Sequence, residues 1–243
     1  MPSQSAIPPV WDLHITRTLR QPGAVFTLDV RVQSPAPRLA LLGPSGAGKT
    51  QTLLAVAGLT RPDQGHVRVA GRALFDPATG VDLPAARRGL GVVFQDYALF
   101  PHLDVRANVA FGRHRGWRNP SAAGREAVVE RWLDAFGLQP VAALKPAQLS
   151  GGPRQRTALA RARAAEPAAL LLDEPFAALD RPLRERLRDE LREVQAATGL
   201  PLLLITHDED DVRALADEAV VLHEGRVAGD AAAAQTEARG VLA

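Results

Sequence analysis

The stretch Gly43-Pro44-Ser45-Gly46-Ala47-Gly48-Lys49-Thr50 constrains this chain more than any other. It follows the apolar run Leu39-Ala40-Leu41-Leu42 and opens onto a helix-compatible segment, 50–57. It therefore sits at a strand-to-helix turn, the setting in which a Gly-x-x-x-x-Gly-Lys-Thr pattern has physical meaning. Glycines let the backbone take conformations closed to other residues, so that successive N–H groups turn inward toward anionic oxygens, and the following helix adds its positive end. In such a loop Lys49 neutralises the outer phosphates of a nucleotide and Thr50 ligates magnesium. The plainer alternative is a glycine-rich turn with no ligand. Composition argues against it: arginine is the chain's ordinary cation, and Lys49 and Lys145 are its two lysines. A lysine at the loop points to a role that a planar guanidinium cannot fill.

At 243 residues and 46% hydrophobic, the chain can bury a core the size of one larger α/β domain, with or without an inserted lobe. No apolar run approaches the roughly 20 residues needed to span a bilayer. The N-terminus, Met1-Pro2-Ser3-Gln4, has no basic segment leading into an apolar one. The expected location is cytoplasmic, at the membrane's inner face. Having no cysteine excludes disulfides and thiolate metal sites, and a net charge of +2 is too small to imply nucleic acid.

Residues 1–10 are rich in proline and serine and read as a frayed tail. Alternation at Leu13, Ile15, Phe26, Leu28, Val30 and Val32 about a Gln21-Pro22-Gly23 turn predicts an antiparallel hairpin. A further strand is predicted at 66–70, so antiparallel material flanks the loop on both sides. Leu90-Gly91-Val92-Val93-Phe94 reads as a buried strand ending at Gln95. Helical patterns then follow at 104–111 and 121–136, the second with Val128, Val129, Trp132, Leu133 and Phe136 on one face and Gly137 as its stop. Ser150 is expected to cap a helix reaching about 165. Two continuous apolar runs, 168–172 and 202–205, have the character of parallel strands buried on both faces. Between them Leu183, Leu187, Leu191 and Val194 mark a helix closed by Gly199. A last hairpin, 219–222 and 226–228, turns at Glu224-Gly225 and precedes an alanine-rich tail.

The apolar runs end in a regular way: one in the loop, one at Gln95, one at Asp173-Glu174 and one at Thr206-His207-Asp208. In an open parallel sheet, ligands bind beyond the carboxyl ends of the strands, which predicts that these groups share a site. Their chemistry is complementary, because hydrolysing a γ-phosphate asks for charge neutralisation, a held magnesium and an oriented water. Asp173 would reach the magnesium shell and Glu174 would polarise the attacking water. Gln95 would contact both metal and water, and His207 would bond the γ-phosphate. Taken singly, Gln95 or His207 is an ordinary strand-end residue; the combination carries the inference.

From about 11 to 230 the sequence resembles the ATP-binding subunits of ABC transporters. The resemblance rests on the phosphate loop, Leu149-Ser150-Gly151-Gly152, Leu171-Leu172-Asp173-Glu174-Pro175, Ala178-Leu179-Asp180 and Ile205-Thr206-His207-Asp208, in that order. It implies an α/β fold of the P-loop NTPase type, with a RecA-like parallel sheet core, an antiparallel β lobe and an inserted helical subdomain. The implied organisation is a single ABC ATPase domain, 11–243, with a nucleotide-binding core of 11–95 and 151–230, a helical subdomain of 96–150, and tails at 1–10 and 231–243. It also implies an ATPase that uses ATP and Mg2+ and forms a head-to-tail homodimer, in which Ser150, Gly151 and Gly152 of one subunit close over the nucleotide of the other. Segment 93–103 looks like the glutamine loop of bacterial importer ATPases. Those proteins dock on integral membrane permease subunits and work with a periplasmic or extracellular binding protein indirectly. Residues 13–19, 58–62 and 71–88, with Asp82-Leu83-Pro84 before Arg87-Arg88, look more narrowly like the ATPase of molybdate importers. Sulfate, iron and sugar importers share most of these motifs.

Four departures from the family pattern stand out. Gln51 replaces a second hydroxyl residue, and Pro153 follows Ser-Gly-Gly where a glutamine or acidic residue is usual. No tyrosine lies near 18–20 to stack on adenine, leaving Arg20 and Trp11 as candidates. The chain stops at Ala243, so regulation by a C-terminal domain is not expected within this subunit. A soluble ABC-type ATPase acting on DNA or ribosomes, and a binding-only module that has lost turnover, are the other readings. The first usually carries coiled-coil insertions or tandem cassettes, and neither is seen. The second is opposed by Glu174 and His207, while Pro153 leaves it open.

Overall fold

Alternation builds the first two strands. In the computed structural model, which describes residues 8–112, 127–177, 179 and 181–228, β1 (Trp11–Gln21) and β2 (Ala24–Ser34) pair antiparallel from Trp11↔Ser34 to Gln21↔Ala24. Trp11, Leu13, Ile15, Leu28, Val30 and Val32 are buried, as a period of two residues requires for a sheet with one covered face. The expected hairpin and its Pro22-Gly23 turn are both present.

The chain continues through β3 (Arg38–Leu42), α1 (Lys49–Ala57), β4 (Gln64–Val69), β5 (Arg72–Asp76), β6 (Val81–Asp82) and α2 (Ala85–Arg88). Next come β7 (Leu90–Val93), α3 (Val105–Phe111), α4 (Ala127–Ala135), α5 (Gly151–Ala164), β8 (Ala169–Asp173) and α6 (Arg181–Thr198). It ends with β9 (Leu202–Ile205), α7 (Glu209–Leu215), β10 (Glu218–His223) and β11 (Arg226–Val227). These elements form two compact units: residues 1–88 with 190–243, and residues 89–189.

In the first unit β3 lies parallel to both β9 (Leu41↔Ile205) and β10 (Leu41↔Val220). All four residues of β9 are buried, and Ala40, Val212, Ala216 and Ala219 form an apolar cluster that sets α7 against this sheet. The antiparallel lobe continues from β2 through β1, β4, β5 and β6. Strands β5 and β6 and the short helix α2 had no clear sequence signal, being brief and interrupted by Pro77, Gly80 and Pro84.

In the second unit β7 and β8 run parallel (Leu90↔Ala169, Val93↔Leu172), and β8 is buried throughout. Helices α3, α4 and α5 pack on one another. Val129, Trp132, Leu133 and Phe136 are buried, which is the apolar face expected of α4, while Val128 is half-buried. The expected start of that helix at Ser121, the residues Ala178 and Asp180, and most of both tails lie outside the described residues. Among the described residues, no helix is long and apolar enough to cross a membrane.

Candidate functional site

The phosphate loop is where the sequence placed it, between β3 and α1. Gly43, Gly46 and Gly48 have φ of +134°, +80° and +99°, a region that residues with a side chain rarely adopt. Two of them also have no room for one. A Cβ on Gly43 would lie 2.1 Å from the carbonyl oxygen of Leu222, and one on Gly48 would lie 2.6 Å from Leu28 Cδ1. The loop is thus pressed on one side by β10 and on the other by β2.

Lys49 is 9% exposed, and its ammonium donates to the carbonyl oxygens of Gly43 (2.7 Å) and Pro44 (2.9 Å). A buried cation is costly unless it is hydrogen-bonded, and here it is held across the start of the loop. Thr50, the second residue of α1, is exposed. Thr52 donates its hydroxyl to Gly48 O at 3.0 Å and tightens the loop-to-helix junction. The far end of α1 is closed by Arg88, which is buried and donates to the carbonyls of Ala55 (2.7 Å), Val56 (2.8 Å) and Leu83 (2.8 Å). Burial pushes the Arg88 pKa down, with the charge of Asp82 opposing it. Gln51 accepts a hydrogen bond from Arg17 Nη1 at 3.3 Å, so this departure from the family pattern links α1 to β1.

Beside the loop is an open depression of about 910 Å³, lined by Val25, Phe26 and Thr27, by residues 44–47, and by the turn and strand from His223 to Ala228. Phe26 brings a phenyl ring to this depression, and it lies 3.3 Å from the position of a Cβ on Gly48. Sequence reasoning missed it, because on an alternating strand it reads as another core residue. Trp11, considered for base stacking, is fully buried and donates its Nε1 to Pro37 O at 3.3 Å, so it belongs to the core and cannot stack on a base. Arg20 is exposed on β1.

Because β3 and β9 are parallel with Leu41 opposite Ile205, the loop and the Thr206-His207-Asp208 turn leave the sheet at the same end. Thr206 Oγ1 donates to Asp211 Oδ2 (2.9 Å) and accepts from Asp208 N (3.1 Å). Asp208 then caps α7. These bonds fix a tight corner that exposes His207.

The second unit brings together the other half of the candidate residues. β7 and β8 end side by side, and beyond them lies an open depression of about 500 Å³ lined by Phe94, Gln95, Asp96, Asp173 and Ala177. Asp173 is 5% exposed, Gln95 is exposed, and Glu174 is held at φ +48°, a strained value for a residue with a side chain. Among the described residues no group of three or more His, Asp or Glu gathers as a metal cage. The buried Asp173 carboxylate and the Gln95 amide oxygen are donors of the kind suited to magnesium, which keeps several waters and shares its remaining positions with substrate phosphates.

Ser150 occupies the N-cap position of α5, as expected, but its side chain makes no capping bond. Pro153 is the third residue of that helix, where the N–H it lacks has no intrahelical acceptor to lose. Gly151 and Gly152 keep their N–H groups in the helix's first turn, the part of a helix that attracts anions.

A glycine-rich loop curled about a buried lysine, set between a parallel strand and a helix, defines the P-loop NTPase class. Within it, the chain belongs to the ABC transporter family, whose profile matches residues 28–177. It is 48% identical over 191 residues to the sulfate/thiosulfate import ATP-binding protein CysA of Caulobacter vibrioides, covering 78% of this chain and 55% of that one. It is 40% identical over 210 residues to the molybdenum import ATP-binding protein ModC of Paramagnetospirillum magneticum (86% and 57% covered). To ModC of Mycobacterium tuberculosis it is 47% identical over 192 residues (78% and 52% covered). The chain therefore spans a little over half the length of these relatives. Among solved structures, a dimeric ATP-binding cassette in a post-hydrolysis state bound to ADP and Pi superposes with a TM-score of 0.75 at 29% identity, covering 90% of this chain and 96% of that one.

Proposed function

We propose that this chain is the ATP-hydrolysing cassette of an importer whose cargo is a tetrahedral oxyanion. The observation that carries the reading is the buried Lys49 within a built phosphate cradle, in a chain 40–48% identical to import ATP-binding proteins. Molybdate is the cargo that the local motifs favour. Sulfate or thiosulfate is the second reading, supported by the relative at 48% identity.

In this reading the backbone N–H groups of 43–50 bind the α- and β-phosphates, and the Lys49 ammonium turns from its carbonyl partners to the outer phosphates. Phe26 stacks on the base in the depression beside the loop. Thr50, Gln95 and Asp173 hold Mg2+, which when bound neutralises charge on the phosphates. Glu174 accepts a proton from the attacking water, and His207 hydrogen-bonds the γ-phosphate. Residues 11–95 and 151–230 form the nucleotide-binding core and 96–150 the helical subdomain. A second copy of the chain presents Ser150, Gly151 and Gly152 to the same nucleotide, and permease subunits dock at the cytoplasmic face of the membrane.

The test pairs binding with transport. The purified chain is expected to bind magnesium-ATP, and cells lacking the gene are expected to lose uptake of labelled molybdate or labelled sulfate, the lost label naming the cargo. A chain without affinity for magnesium-ATP, or a deletion that leaves both uptakes intact, contradicts the proposal.

A further inference from the structure

The turn that carries Gln95 is strained, and one side chain holds it. Tyr97 N donates to Phe94 O at 2.8 Å, closing a turn over Gln95 and Asp96. The next two backbone positions are both left-handed although neither is glycine: Tyr97 has φ +63° and Ala98 φ +42°. Two such residues in succession persist only where the surroundings over-determine them. The local help is slight, a bond from Ala98 N to Asp96 Oδ1 at 3.2 Å.

The larger restraint comes from α5. Arg161 spreads its guanidinium across both strained carbonyls, with Nη2 to Tyr97 O at 2.9 Å and Nη1 to Ala98 O at 2.6 Å. The planar fork matches two adjacent carbonyl oxygens in a way that an ammonium cannot. The same guanidinium lies 5.6 Å from the centre of the Phe100 ring, which packs on Phe111 at 4.2 Å. Phe100 is fixed in turn by the buried Asn108, which accepts from its N–H (2.9 Å) and donates to its carbonyl (3.2 Å). The backbone of Arg161 is pinned as well, because a Cβ on Gly112 would lie 2.2 Å from the Arg161 carbonyl oxygen. Burial pushes the Arg161 pKa down, with Asp96 opposing it, so the charge is kept here at a cost.

We propose that Arg161 is a positioning residue: it holds the turn after β7 in its left-handed form and so makes the reach of Gln95 depend on α5, the helix that begins at Ser150. This inference rests on the ATPase reading above and adds to it a mechanical link, within one unit of the chain, between Ser150 and Gln95. The bland alternative is that Arg161 merely stabilises a loop, in which case its loss would affect folding and turnover alike, whatever residue stands at 95.

The experiment is a double-mutant cycle on the full chain, read as magnesium-dependent ATP turnover with the melting temperature followed in parallel. Arg161→Lys is expected to lower turnover about tenfold in the parent background and less than about twofold in the Gln95→Ala background. Adding Ala98→Gly is expected to restore about half or more of the lost turnover, because glycine takes the left-handed conformation without steric cost. Ala98→Val, which leaves Arg161 in place but disfavours the same backbone, is expected to reproduce the Gln95-dependent loss even if Arg161→Lys fails to fold. Equal losses in both backgrounds, no rescue by Ala98→Gly, or a parent-like Ala98→Val would overturn the inference alone. A parent chain without ATP turnover would overturn the ATPase reading and the inference with it.

Discussion

Gly225 donates its backbone N–H to the carbonyl oxygen of Ala47 at 3.0 Å, tying the turn of the last hairpin to the middle of the phosphate loop. The carbonyl of Gly225 accepts from Asp29 N at 2.7 Å, so the turn is clamped between the loop and β2. The loop's shape therefore depends on a segment nearly 180 residues away in sequence.

The clamp leaves no space for a side chain. Gly225 has φ +80°, and a Cβ there would lie 2.2 Å from Thr27 O. Gly225→Ala is expected to destabilise the fold by about 2 kcal/mol or more and to weaken nucleotide binding together with it. Urea unfolding and nucleotide titration check both, and a variant as stable as the parent would show that the turn is not a clamp.

Lys49 should matter more to nucleotide than to folding, since its ammonium bonds two carbonyls of the loop itself, one of them on the exposed Pro44. Lys49→Met is expected to lower magnesium-ATP affinity about 30-fold or more, by the loss of charge-assisted bonds worth about 2 kcal/mol. Calorimetric titration measures this, and undiminished affinity would remove the lysine from phosphate binding.

Arg88, also a buried cation, serves the fold. Replacing it by methionine leaves the carbonyls of Ala55, Val56 and Leu83 without this donor. The expected loss is about 2–4 kcal/mol, read from the urea midpoint. A loss below about 0.5 kcal/mol would mean that water or a shift of α2 satisfies those groups equally well.

Asp12 gives the fold a signed response to acid. Its burial works to raise its pKa, but hydrogen bonds from His66, Gln33 and Arg68 and the charge of His66 outweigh that, so the carboxyl titrates below its ordinary 3.8. A depressed folded value means that the stabilisation is complete above the unfolded pKa and is lost as pH falls through the folded one. The stability gap between the parent and Asp12→Asn is therefore expected to shrink as the pH falls below about 4. Unfolding midpoints between about pH 2 and 4 check it; a gap that widens with acidification in that window contradicts it.

Much of the candidate site was legible because it depends on local chemistry. The phosphate loop declares itself through glycines that must take positive φ, and Asp173, Glu174 and His207 stand where buried apolar runs stop. What could not be read was whatever depends on long-range closure. The positions of Phe26 and Gly225 beside the loop follow from strand register, and the carbonyl partners of Arg88 and Arg161 lie on other elements. One basic residue among many arginines carries no sign of such a role. Trp11 misled although it keeps the two-residue phase of Leu13 and Ile15, which places it on the buried face of β1.

The most direct test of the account is ATP hydrolysis by the purified chain and by Glu174→Gln, with nucleotide binding measured on both. The expected result is magnesium-dependent turnover by the parent, loss of at least about 100-fold in the variant, and retention of bound ATP with pairing of two copies. A variant that hydrolyses at the parent rate would contradict the assignment of Glu174, and a parent that neither binds nor hydrolyses ATP would contradict the account as a whole.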